Sequence, residues 1–438
     1  MAAVQVHIEK LVYGGEGLAH ANGETIFVPF VLAEEDAEVE VAERKKKLVR
    51  GSVTRLLKPS PERIAPRCPH FGTCGGCDYQ HISYGEQLRI KEAILRETLK
   101  RIGRVDWNGP IAIHKSPPWE YRNRAQWRVR PAASDGGRSH TDRTSAIGYF
   151  RARSAALCPI EVCSIISPKL LETFTTLRDA LATGNLPSTV REIEAFASHD
   201  DRELLLNVTC TSLPRSRETL LQKFAELIPA AKSILVQDVT ANQMALRGPG
   251  FIQYNVLHRS LRVAHLSFFQ VNRFLLEEVA TTVASLADAG ELAFDLYAGA
   301  GLFTLLLAGN FSNVHAVEAD PVSARDLEIN AGGSGKHVPI HNQAANVFLN
   351  QWKRKQAMGA PDVVVADPPR AGLDDGVAEQ LAAIAPRRIV YVSCDPATLA
   401  RDLAKLNSKG YTLRELHLFD MFPQTYHIES AMLLERAP

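Results

Sequence analysis

The second half of the chain constrains the fold most. From about residue 268 onward, the strand-like runs ELAFDLY, VHAVEA, DVVVAD and RRIVYVS are separated by helical stretches. Strands alternating with helices are the signature of an α/β domain built on a parallel sheet. The closing stretch, YTLRELHLFDM followed by HIESAMLLER, predicts an antiparallel hairpin finishing that sheet.

The remainder reads differently. The chain has 438 residues, and at roughly 100–200 residues per domain it is long enough for about two to four domains. The pattern divides at residues 1–58, 59–260 and 261–438. In the first unit, VQVHIEKL, ETIFVPFV and AEVEVAE carry alternating or β-branched residues, punctuated by Gly14, Gly15, Gly17 and Asn22-Gly23. At that size the expected architecture is an OB-like β-barrel, a common nucleic-acid scaffold. Its last strands hold a basic run, Arg44, Lys45, Lys46, Lys47 and Arg50, followed by Arg55 and Lys58. A linker with Pro59, Pro61 and Pro66 leads into a cysteine loop, and the spacing then predicts an amphipathic helix over Glu86–Ile102. From about 110 to 260 strands and helices mix, ELLLNVT and SILVQDV being the clearest strands, which predicts a central α+β domain.

Composition excludes several classes. An apolar content of 45% is that of folded protein rather than disorder. Lys plus Arg number 50 against 49 for Asp plus Glu, so a nucleic-acid partner must be argued from local clusters. The N-terminus lacks an apolar h-region, and the stretch Leu302 to Ala308, apolar but for Thr304, is too short to span a bilayer. A cytoplasmic monomer without a membrane partner is the expectation. Seven cysteines are an odd and sparse set, which argues against a disulfide framework.

Their distribution is more informative. Cys68, Cys74 and Cys77 fall within ten residues, among Gly72, Gly75 and Gly76, and Cys158-Pro159 follows about eighty residues later. Such a loop lets backbone amides turn toward sulfur, and four thiolates suit tetrahedral zinc or a 4Fe–4S cluster. Cys163 competes as the fourth ligand, with Cys158 preferred. Cys210, in a strand pattern, reads as a small buried apolar residue.

Phe294-Asp295-Leu296-Tyr297-Ala298-Gly299-Ala300-Gly301 ends a strand and opens the helix LFTLLLAG, where glycines admit a ligand to the helix N-terminus. Glu318 ends the next strand and can take two ribose hydroxyls. Thr304 stands where a dinucleotide fingerprint has its third glycine, which favours S-adenosylmethionine over NAD. Asp367, in Asp367-Pro368-Pro369-Arg370, ends the strand DVVVA and faces the crevice where open α/β sheets bind ligands. On the following strand, Cys394 lies just ahead of a helix N-terminus, which is expected to lower its pKa. Glu429 precedes the terminal strand and is the best candidate for a base.

Taken together, SFFQVN, DLYAGAG, VEAD, ADPPRAG, YVSCDPATLARD and HIESAMLLER occur in the order found in the RNA uracil-5-methyltransferase family, which the second half resembles. Residues 1–58 are similar to a TRAM domain, an RNA-binding barrel, and the cysteine spacing resembles the 4Fe–4S site of the branch acting on 23S ribosomal RNA. The resemblance implies a Rossmann-like class I methyltransferase domain, S-adenosylmethionine as donor, and a cluster on Cys68, Cys74, Cys77 and Cys158. It makes Cys394 the nucleophile, Glu429 the base, and Gln270, Tyr297, Glu318, Asn342 and Asp367 contacts of the donor or the uracil. Leu302 departs from the family, many members carrying Asn there.

Uracil C5 is a poor nucleophile, so this chemistry needs a thiolate to add at C6 before methyl transfer and a base to remove the C5 proton afterwards. Trp119 to Arg124 and Trp127 to Arg130 mix aromatic and basic residues suited to stacking bases and holding phosphates. Three rivals stand beside this reading. One is a tRNA substrate for the same chemistry, another a zinc-binding RNA-binding protein with an inactive methyltransferase-like domain. The third, an N-methyltransferase, is disfavoured because Arg370 stands where such enzymes carry an aromatic residue.

Overall fold

The computed structural model describes residues 4–45, 48–131, 145–333, 335–354 and 359–436. Lys46 and Lys47 lie outside them, as does the side chain of Lys45. Among the described residues the strands form four sheets, of six, seven, two and eight strands.

The eight-stranded sheet is the scaffold of the second half. Its strands are β1 (Ala112–His114), β2 (Gly290–Leu296), β3 (Phe311–Glu318), β4 (Ile340–Asn342), β5 (Val363–Ala366), β6 (Arg388–Ser393), β7 (Tyr411–Phe419) and β8 (Glu429–Arg436). They lie in the order β4-β3-β2-β5-β6-β8-β7-β1. From β4 to β6 all pairs are parallel, and the β7–β8 hairpin is antiparallel, as expected. The apolar run of β5 follows from cover on both faces. Val363 and Val365 enter one core while Val364 and Ala366 enter the other.

The helix expected over Glu86–Ile102 runs from Tyr84 to Arg101 (α1), its first turn capped by Ser83 accepting the Glu86 amide. Its apolar stripe, Ile90, Ile94, Leu95 and Leu99, packs on the eight-stranded sheet. Strand β1 also joins that sheet, on β7. Two elements from the expected 59–260 unit therefore complete the C-terminal sheet. The hairpin Phe251–Val256 and Arg259–Ala264 likewise buries Ile252, Tyr254 and Leu261 in the C-terminal core.

The seven-stranded sheet spans Arg124–Arg130 to Gln243–Arg247 and is covered by the helices Pro168–Ala182 and Arg217–Leu227. Cys210 is buried in its core. So are Tyr121 and Trp127, fully enclosed, which corrects the expectation that they stack on bases. Alternation in the strand RAQWRVR sends Ala125, Trp127 and Val129 inward together.

The six N-terminal strands lie between Val4 and Lys58 around Ile8, Ala19, Ile26, Val28 and Val39. Among the described residues their ladder stays open between the first and second strands, so the expected barrel is a half-barrel.

Candidate active site

The site forms along the carboxyl ends of β2, β3, β5 and β6, where parallel strands deliver side chains into one crevice. Tyr297 follows β2 with φ +61°, a left-handed conformation that a bulky residue adopts only where its surroundings hold it. Its hydroxyl donates to Asp374 at 3.1 Å. Gly301 (φ +96°) starts α2 (Leu302–Asn310); a Cβ there would stand 2.7 Å from Leu327, so only glycine fits. The Glu318 carboxylate accepts the Gly299 amide at 2.8 Å and the Asp320 amide at 2.7 Å. Opposite it in register lies Asn342, exposed, its amide donating to the Glu318 carbonyl at 2.9 Å. Leu302 is buried in the core and offers the crevice nothing polar.

Thr304, at the missing-glycine position, donates to Asp295 at 2.5 Å. Asp295 is fully buried, and among the described residues its other carboxylate oxygen has no hydrogen-bond partner. Burial, with the Asp367 and Glu318 carboxylates nearby, pushes its carboxyl up to about 7. Asp367 is likewise raised to about 7 by burial. Carboxylates so gathered favour a cationic ligand, and a sulfonium donor with an amino group fits that field. The role of Asp295 was missed in the sequence, although a carboxylate ending an apolar strand was its signal.

The sheet register brings Cys394 to Glu429. Ser393 of β6 pairs with Ser430 of β8, and one further step of the same antiparallel register sets Cys394 opposite Glu429. Glu429 is buried, and burial first, then the Asp367 charge, raises its carboxyl well above the usual range. The Cys394 thiol is not depressed as expected but pushed up to about 12, by burial and then by the Glu429 and Asp367 carboxylates. The helix end does not help because Asp395 caps it. One Asp395 oxygen takes the Ala397 and Thr398 amides at 2.9 Å each, at the start of α3 (Pro396–Asn407). The Arg370 guanidinium acts the other way, lowering both the thiol and the Glu429 carboxyl. Arg370 is the second group whose role the sequence reading overlooked.

The loop from Asp420 to Ile428 delivers Glu429 and is fastened by distant segments. Gln87 of α1 and Gln424 exchange two hydrogen bonds at 3.1 and 3.0 Å. The Asp78 and Tyr79 amides both donate to the Gln424 carbonyl at 2.9 Å, and the Tyr121 hydroxyl donates to the Pro423 carbonyl at 3.1 Å. Gln270 is half-buried, just ahead of Asn272, whose amide donates to the Met421 carbonyl at 3.1 Å. Asp78 directly follows Cys77, so the cysteine loop and the Glu429 loop are one packed unit.

A cavity of about 500 Å³ is lined by Cys68, Cys74, Cys77 and Cys163 and reaches Arg122 and His427. Cys158 is buried behind it, in contact with Cys74. Burial pushes the Cys74 thiol up to about 12 and raises Cys77, Cys158 and Cys163 as well. Among the described residues no three Cys, His, Asp or Glu side chains close around a single metal-ion position.

Residues 251–437 match the tRNA (uracil-5-)-methyltransferase family model. The 23S rRNA (uracil(1939)-C(5))-methyltransferase RlmD of Salmonella typhimurium is 33% identical over 99% of this chain and 96% of its own length. The chain belongs to the RNA uracil-5-methyltransferase family. Another relative, an uncharacterized RNA methyltransferase of Aquifex aeolicus, is also 33% identical, across 99% of this chain and 98% of its own. The family fold extends to the Pyrococcus abyssi tRNA (uracil-54, C5)-methyltransferase solved with S-adenosyl-L-homocysteine. Its TM-score is 0.73 at 24% identity, covering 98% of this chain and 100% of that one. No described helix is long and apolar enough to cross a membrane.

Proposed function

We propose that the chain methylates C5 of a uracil in 23S ribosomal RNA, with S-adenosylmethionine as donor. The observation that carries the reading is the facing placement of Cys394 and Glu429 at the end of the β6–β8 ladder, with Asp367 beside them. The flipped base enters the crevice, as a base inside structured RNA must to expose its face. The Cys394 thiol passes its proton to Asp367 and its sulfur adds to C6, leaving C5 as an enolate carbon and Glu429 free to act later as the base. Two bases sense the thiol, Glu429 and Asp367, and Arg370 is the cation that offsets the negative charge. C5 then takes the methyl group from the sulfonium. Glu429 removes the C5 proton, the C6–S bond breaks, and the thiolate is released. Burial makes Glu429 a stronger base than a solvated glutamate. Glu318, Asn342, Tyr297 and Gln270 hold donor and base in place.

We infer a 4Fe–4S cluster held by Cys68, Cys74, Cys77 and Cys158; the cavity lined by Cys68, Cys74 and Cys77, with Cys158 against Cys74, supports it. A cluster takes one thiolate per iron and needs no single closed metal position, whereas zinc does. It would supply a rigid anchor for the loop beside Asp78; the methyl transfer itself requires no redox step. The ribosomal substrate rests on the Salmonella relative, which aligns along nearly the whole chain including the half-barrel. Mass mapping of 5-methyluridine in RNA from a deletion strain tests it. Loss from 23S RNA with tRNA unchanged is expected; loss from tRNA alone would overturn it.

A further inference from the structure

The half-barrel reaches the catalytic crevice through the turn at Tyr13. Its second strand, Lys10–Val12, turns through Tyr13-Gly14-Gly15 into the third, Glu16–Ala21. Gly14 and Gly15 have φ of +107° and +82°, which side chains avoid. A Cβ on Gly15 would lie 3.1 Å from Asp78 and 3.3 Å from Tyr426, so the turn is seated against both the cysteine loop and the Glu429 loop. Leu11 enters the core under the eight-stranded sheet, and Lys10 pairs with Glu97 of α1 at 2.6 Å.

The Tyr13 ring meets Tyr426 edge-on at 5.5 Å, and its hydroxyl donates to Asp395 at 3.0 Å. The first Asp395 oxygen is occupied by the α3 amides, so Tyr13 takes the second. Ser393 closes the turn from the other side: its hydroxyl donates to the Asp395 carbonyl at 3.0 Å and accepts the Asp395 amide at 3.2 Å. Cys394 sits between these two fastened residues. A thiol must point at C6 within a narrow cone to add, so freedom in this turn costs rate rather than affinity.

We propose that Tyr13 is a positioning residue for the covalent step, holding the Cys394 turn through Asp395, so that the half-barrel completes the catalytic centre. The proposal rests on Cys394 being the nucleophile. It separates the half-barrel from a tethered RNA-binding module, which would change only RNA affinity.

The test is single-turnover formation of the denaturation-resistant adduct with 5-fluorouridine RNA, in the presence of donor, over a range of RNA concentrations. Tyr13→Phe removes one hydroxyl that donates to a charged acceptor; the saturating rate should fall about tenfold or more while the RNA Kd changes less than about twofold. Gly15→Ala, which lifts the turn without touching the hydroxyl, should lower the same rate. In an Asp395→Ala background, Tyr13→Phe should cost nothing further, since both changes break one link. A parental saturating rate in Tyr13→Phe, or a defect confined to RNA Kd, overturns the proposal. Cys394→Ala is run alongside: an adduct there would refute the nucleophile assignment itself, a separable failure.

Discussion

Lys91 of α1 and Asp420 form a 2.6 Å ion pair with both side chains wholly enclosed, and the same ammonium donates to the Phe422 carbonyl at 3.0 Å. The pair spans 329 residues of sequence and ties the Glu429 loop to α1. Removing one partner strands a buried charge, so Lys91→Met should destabilise the protein by about 3–5 kcal/mol. Lys91→Met with Asp420→Leu should recover much of that. Urea unfolding checks both; a loss below about 1 kcal/mol for the single variant would show that water relieves the charge.

The raised Cys394 thiol sets a pH dependence. With its pKa pushed up to about 12, the thiolate is scarce at neutral pH and grows as pH rises. Iodoacetamide labelling of Cys394 in the free enzyme, followed by peptide mass mapping, should accelerate about tenfold per pH unit between about pH 7 and 9. Arg370→Met, which removes the offsetting cation, should slow labelling further. A plateau within that window would mean an ordinary or depressed thiol.

The two catalytic candidates separate by step. Cys394→Ala should abolish methylation and leave donor binding intact, because no other group can activate C5. Glu429→Gln keeps the shape and loses the basicity, so addition and methyl transfer proceed while elimination stalls. That variant should accumulate an enzyme–RNA adduct on denaturing gels. Turnover at the parental rate would place the base elsewhere.

In the function proposed above Glu318 takes the donor ribose, and in the structure its carboxylate accepts the Gly299 amide that shapes the glycine turn. Glu318→Ala should weaken S-adenosylmethionine binding by about 1.5–3 kcal/mol in calorimetry. Unchanged affinity in a folded variant would refute the assignment.

Anaerobically purified protein should be brown and contain iron and sulfide. Cys158→Ser should lose them, whereas Cys163→Ser should retain them. Stoichiometric zinc without iron would exclude a cluster.

Most of this molecule was legible where its physics is local. The apolar runs of β2, β3, β5 and β6 announced a sheet covered on both faces, and the groups ending those strands marked the crevice. The Cys394 pKa was misread because the helix N-terminus is already capped by Asp395, a competition that proximity in sequence does not reveal. Trp127 looked like part of an RNA surface because its basic neighbours drew attention from the period-two alternation of RAQWRVR, and Tyr121 lies just before that strand with no pattern of its own. Strand β1 has only three residues, too few to carry a pattern. Tyr13 and Asp395 lie 382 residues apart, beyond any local signal.

The place of β1 has a consequence for how the chain can be divided. Its three residues pair with His417, Leu418 and Phe419, and so cover the outer edge of β7. A C-terminal piece starting near residue 251 would carry every motif of the chemistry yet leave that hydrogen-bonding row bare. Bare rows recruit strands from other copies, so the excised module is prone to grow sheet-on-sheet into aggregates. What guards it in the full chain is a short stretch synthesised some three hundred residues earlier, which makes that stretch a built-in solubility device for the C-terminal sheet.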